Sequence, residues 1–116
     1  MRVHIRNTTR GTELASDARA ARTFWARFIG LMGRSSLRPG EALVLEPCTS
    51  VHTAFMRFAI DTVYTDRSWR VVKVSPNLRP FRVSGVLRGG YATIELPRGT
   101  IATTGTAPGD QLVLES

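Results

Sequence analysis

Thr62-Val63-Tyr64-Thr65-Asp66-Arg67-Ser68-Trp69-Arg70-Val71-Val72-Lys73-Val74-Ser75 is the stretch whose reading decides the fold class. Both of its arms are rich in β-branched and aromatic residues, which suit a pleated, half-buried surface. Between them Asp66-Arg67-Ser68-Trp69 supplies a turn, so the stretch predicts a β-hairpin. Upstream, Ala42-Leu43-Val44-Leu45 is an unbroken apolar run of strand length, opened by Pro39-Gly40 and closed by Glu46-Pro47. A run without polar alternation fits a strand covered on both faces, and it predicts a central strand. Downstream, Tyr91 to Leu96 and Gln111 to Leu114 predict two more strands, separated by turns at Pro97-Arg98-Gly99-Thr100 and Pro108-Gly109-Asp110.

The amino-terminal third adds a second hairpin and the main helix. Val3-His4-Ile5 reads as a short strand, and the turn-prone Asn7-Thr8-Thr9-Arg10-Gly11 follows it. In Glu13 to Ala21, Leu14, Ser16, Ala18 and Ala20 alternate with Glu13, Asp17 and Arg19, which predicts a strand pairing back on the first. Thr23 can cap a helix in which Phe24, Phe28 and Leu31 recur at i, i+4 and i+7, with Gly33 placed as its left-handed stop. Pro76 to Gly90, with two prolines and three glycines, predicts a long loop with a short strand near Val83. The expected fold is mainly β (α+β): one domain over 1–116, a small barrel or sandwich of about six to eight short strands with one main helix (about 23–33) packed on it.

Composition narrows the function classes. A chain of 116 residues can bury a core without staples, and its 42% hydrophobic and 22% charged residues are ordinary for a globular domain. No apolar run approaches about 18 residues, and the amino terminus lacks a signal-peptide core, so a soluble, cytoplasmic protein without a membrane partner is expected. The lone Cys48 cannot form an internal disulfide. Sixteen basic residues against nine acidic give a net charge of +7, and all the basic residues but Lys73 are arginine. That charge favours polyanions such as nucleic acid. The arginines are nevertheless scattered from Arg2 to Arg98 without a block of neighbours, which weakens the nucleic-acid reading.

Three motifs in order carry a resemblance: Gly30-Leu31-Met32-Gly33-Arg34, His52-Thr53-Ala54-Phe55-Met56-Arg57-Phe58-Ala59-Ile60-Asp61, and Gly109-Asp110. From about Glu13 to Leu114 the chain resembles domain-of-unknown-function family 192, also called uncharacterised protein family 0127. The resemblance implies a compact, largely β domain and brings no established activity. His52 to Met56 stand where many members have Trp-Met-Lys-Asn-Thr, so the chain resembles a histidine-bearing variant, and Ala59 stands where proline is usual.

The candidate chemistry lies in Cys48 through Asp61. In an extended conformation Cys48, Ser50, His52, Ala54 and Met56 share one face and Val51, Thr53 and Phe55 the other, which makes the stretch a possible floor for a small site. The expected function is a small binding domain whose pocket is bordered by His52, Met56, Arg57 and Asp61, with a small-molecule ligand. One alternative is a hydrolase or transferase with Cys48 as nucleophile, His52 as base and Asp61 as orienting acid. Residues four apart on one strand stand about 13 Å apart, so that triad requires a turn at Thr49-Ser50. A further alternative is a nucleic-acid-binding module. Cys48, His52, Asp61 and His4 lack the paired spacing of a metal site, so neither metal nor other cofactor is expected. Glu46 could act as an acid or base if burial raised its pKa.

Overall fold

The computed structural model describes residues 2–21, 37–46, 59–79 and 90–116. Seven strands follow one another: β1 (Arg2–Asn7), β2 (Thr12–Ala21), β3 (Glu41–Leu45), β4 (Ile60–Thr65), β5 (Val71–Leu78), β6 (Ala92–Pro97) and β7 (Leu112–Glu115). A short helix, α1 (Thr100–Thr104), lies between β6 and β7. The strands form one sheet in the order β5-β4-β6-β3-β2-β1-β7, with β3 at its centre as the apolar run Ala42 to Leu45 predicts. Both predicted hairpins form, β1 with β2 and β4 with β5. The sheet curls as a half-barrel until its two edges touch at one end. There Arg70 bridges Gln111, and the Leu112 N–H donates to the Trp69 carbonyl at 3.0 Å.

Only β2 and β3 run parallel among these pairs. A parallel pair needs a long crossover between its strands. The predicted main helix, about 23–33, falls in that connection and lies outside the described residues. The core of the half-barrel is built from Ile5, Leu14, Ala15, Ala18, Ala42, Val44, Val63, Val71, Ile94, Leu96, Ile101 and Leu112. Among the described residues no helix is long and apolar enough to cross a membrane.

Three local features depart from the simple strand pattern. In β2, Leu14 and Ala15 are both buried while Ser16 is exposed, so the predicted alternation of Leu14, Ser16 and Ala18 on one face does not hold. The cause is a bulge: the Ser16 and Asp17 N–H groups both donate to the Gly40 carbonyl at 2.9 Å, and the pairing with β1 shifts there. Gly40 has φ 88°, the left-handed region that favours glycine, and a Cβ on it would also push against the Ser16 hydroxyl at 2.8 Å. The second departure is that β5 continues through Pro76 to Leu78, where the composition predicts a loop. Pro76 is tolerated because β5 is an edge strand and is bulged here, with Asn77 in the left-handed region at φ 54°. The short strand predicted near Val83 lies outside the described residues. Third, the turn predicted at Pro97-Arg98-Gly99-Thr100 leads directly into α1.

Candidate functional site

Strand register sorts the central strands into two faces. Val63, Ile94 and Val44 lie side by side across β4, β6 and β3 and point into the half-barrel core. Alternation then sends Thr62, Glu95 and Leu43, and likewise Tyr64, Thr93 and Leu45, to the opposite face. An outer face of a curled sheet is ordinarily solvated, yet Thr62 and Thr93 are fully buried, Tyr64 is 1% exposed and Glu95 4%. The Thr62 hydroxyl donates to the Tyr64 hydroxyl at 3.2 Å. Beside them Leu37 and Ile60, with Leu43 and Leu78 packed against them, form a second, smaller apolar cluster. The face therefore combines hydroxyls, an apolar flank and one carboxylate.

Glu95 is the unusual member. Its Oε2 is buried and has no hydrogen-bond partner among the described residues. Removal from water disfavours the ionised form, and burial pushes the Glu95 carboxyl up to about 7. Near neutral pH the group therefore passes between a neutral acid that can donate a hydrogen bond and an anion that can take a cation. Sequence reasoning missed it. In Thr93-Ile94-Glu95-Leu96 the polar residues alternate with the apolar ones, which is how a strand with one solvated face reads. The available signal was position: a strand neighbouring the apolar β3 is central, and a central strand is the place where both faces can be covered.

The two aspartates that carry the family resemblance do a different job. Asp61 is 1% exposed, and its Oδ1 accepts the Asn77 N–H at 2.9 Å. Its Oδ2 accepts the Gly99 and Ile101 N–H groups at 3.1 and 2.8 Å. One side chain on β4 thus clips the β5 bulge to the start of α1. Asp110, 2% exposed, uses Oδ2 for the Asn7 amide at 2.9 Å and for the Arg10 guanidinium and Ala107 N–H at 3.0 Å each. Gly109, at φ 95°, makes the turn that delivers it.

Burial alone would raise the Asp110 carboxyl. The hydrogen bonds from Asn7, Arg10 and Ala107, with the Arg10 charge, outweigh burial and hold it below the usual carboxylate range. A depressed carboxyl adds stability that is present above its unfolded pKa and lost as pH falls through the folded value. Asp110→Ala should therefore cost about 2–4 kcal/mol in urea unfolding at pH 7. The gap to the parent protein should narrow below about pH 4. A gap that is unchanged at low pH would contradict this role.

Of the residues singled out in the sequence, Cys48, His52, Met56 and Arg57 lie outside the described residues. Asp61 and Glu46 are both buried, Glu46 directly after β3. His4 is exposed on β1, 3.7 Å from the Glu13 carboxylate. Exposed arginines are spread over β1 (Arg6), β2 (Arg19) and several separate turns (Arg10, Arg38, Arg67, Arg98). Segment 47–58 connects β3, whose Leu45 faces Thr93, to β4, whose Ile60 faces Pro97 at the other end of β6. The singled-out stretch therefore joins the two strands that flank Glu95.

Comparison with known proteins gives a consistent family and fold. UPF0127 protein PF1050 of Pyrococcus furiosus is 36% identical over 112 residues, covering 91% of this chain and 93% of the relative. A UPF0127 protein of Thermococcus sibiricus is 31% identical over 110 residues, covering 91% of this chain and 71% of the relative. A crystal structure of a protein of unknown function from Novosphingobium aromaticivorans superposes with a TM-score of 0.83 at 21% identity, over 97% of this chain and 84% of that one. A putative transcription regulator from Sinorhizobium meliloti superposes with a TM-score of 0.79 at 20% identity, over 97% and 92%. At those identities the structures establish the half-barrel fold alone. The family model DUF192, described as uncharacterized ACR, matches residues 5–114, and the chain belongs to that family.

Proposed function

We propose that this protein is a small ligand-binding domain whose site is the covered outer face of β4, β6 and β3, centred on Glu95, with the 48–61 stretch that carries His52, Met56 and Arg57 joining β3 to β4 in the chain. The observation that carries the reading is the buried Glu95 Oε2, which has no partner among the described residues. A carboxyl raised from 4.5 to about 7 weakens the fold by about 3 kcal/mol once it is forced to ionise. That is a large share of the stability of a domain this size. A group that breaks the rule for buried polar atoms without a compensating structural bond is best accounted for by a ligand. The hydroxyls of Thr62 and Tyr64 stand ready beside it, and the Leu37–Ile60 cluster supplies apolar contact.

Asp61 enters this reading through its backbone, as the neighbour of Thr62 and the anchor of β4. Both of its oxygens already accept backbone N–H groups, which favours binding over a mechanism in which Asp61 orients His52 for Cys48. The test is a library of small fragments of mixed charge screened by amide-shift NMR on labelled protein. Fragments should perturb the amides of Thr62, Tyr64, Thr93 and Glu95 together. A library that perturbs only residues elsewhere, or none, would reject the site.

A further inference from the structure

We infer that the ligand of this face carries a cationic nitrogen, an ammonium or amidinium, on a short apolar body. The inference rests on the binding reading above and assigns the ligand's chemistry. Glu95 is an acceptor without a donor: Oε2 has no partner among the described residues, and its cross-strand neighbours are Thr62 on β4 and Leu43 on β3. Thr62 does not serve it: its hydroxyl donates toward the Tyr64 hydroxyl at 3.2 Å or the Ser75 carbonyl at 3.5 Å. Lys73, on β5, sits over the Tyr64 ring with Nζ 5.6 Å from its centroid and is separated from β6 by the whole of β4.

The missing element at Glu95 is therefore a partner, and in a buried setting a charged donor gains most from the carboxylate in its ionised form. A cation arriving there would favour the ionised carboxylate, which removes the cost of burying it alone. The rest of the ligand must match what flanks the carboxylate. Leu43 and Ile60 are apolar and pack in the Leu37 cluster, so the flank of the carboxylate matches a hydrocarbon body. The Tyr64 ring and hydroxyl give the opposite border an aromatic wall with one polar point.

Four probes of one size decide the matter: benzylamine, benzamidine, benzyl alcohol and benzoate. Each is titrated into the wild-type chain and into Glu95→Gln at pH 7.5 and followed by the amides of Thr62, Tyr64, Thr93 and Glu95. Benzylamine or benzamidine should bind the wild type at least about tenfold more tightly than benzyl alcohol, and Glu95→Gln should abolish that preference. Tyr64→Phe, which keeps the carboxylate, should retain the preference with weaker binding of all four probes. If benzyl alcohol or benzoate shifts those amides as strongly as the amines do, the cationic class is wrong and the site stands. If no probe moves them up to about 10 mM, about tenfold above the millimolar Kd of weak ligands, this inference fails. The mixed-charge fragment screen then decides separately whether the site itself survives.

Discussion

Asp61→Ala is expected to lower the stability of the fold by about 3–5 kcal/mol, which should read as a fall in Tm of more than about 10 °C. The size follows from what the carboxylate holds. Three backbone N–H groups, from Asn77, Gly99 and Ile101, lose their acceptor at once. A buried donor left without a partner costs about 1–3 kcal/mol. Water can enter to repair part of that loss at Gly99, which is exposed, and less at Ile101, which is 8% exposed. Asp61→Asn should recover only part of the difference, because an amide offers one oxygen where the carboxylate uses two. The consequence reaches the proposed site, since Asp61 fixes the start of β4, and Thr62 and Tyr64 follow it on that strand. A loss below about 1 kcal/mol in urea unfolding would mean that the clip does not hold the corner.

Glu95→Gln should change how stability depends on pH. The Glu95 carboxyl sits near 7 in the folded chain and near 4.5 when exposed, so between those values the folded state binds more protons than the unfolded state. Stability from this group is then fully present below about pH 4.5 and is lost as pH rises through about 7. The wild-type chain should lose about 3 kcal/mol from this source between pH 4.5 and pH 8, and the glutamine variant should not. At pH 8 the variant is therefore expected to be the more stable of the two by about 1–3 kcal/mol, and at pH 5 the two should nearly coincide. Comparing them at each pH cancels other titrating groups, Asp110 included. Parallel curves from pH 5 to pH 8 would contradict the burial of Glu95.

The scaffold was legible because its signals are local. The apolar run Ala42 to Leu45 marks the central strand, and the arms around Asp66-Arg67-Ser68-Trp69 mark the β4–β5 hairpin. What stayed hidden depends on partners distant in sequence. The β2 bulge needs the Gly40 carbonyl, which no pattern within Thr12 to Ala21 can reveal. Pro76 argues for a loop until β5 is known to be an edge strand. Trp69 stands at φ 64°, a conformation that composition would assign to glycine or asparagine. Its ring packs against the core and edge-on to Tyr91, with centroids 6.4 Å apart, and that contact offsets the strain. Glu95 was invisible for the same reason as the bulge: the alternation of Thr93 to Leu96 describes two faces and does not say that both are covered. From the sequence Asp61 reads first as a cap of the turn between two strands and second as a ligand contact; its partners among the described residues are all backbone amides, two of them about forty residues away.

The central claim is that Glu95 holds its carboxyl out of water on the outer face of β6, with Oε2 unpaired among the described residues. Its most direct test is the NMR titration of the Glu95 side-chain carboxyl carbon, assigned by its disappearance in Glu95→Gln. The account predicts a midpoint near 7 in the ligand-free protein. A midpoint near 4.5, the value of an exposed glutamate, would contradict it.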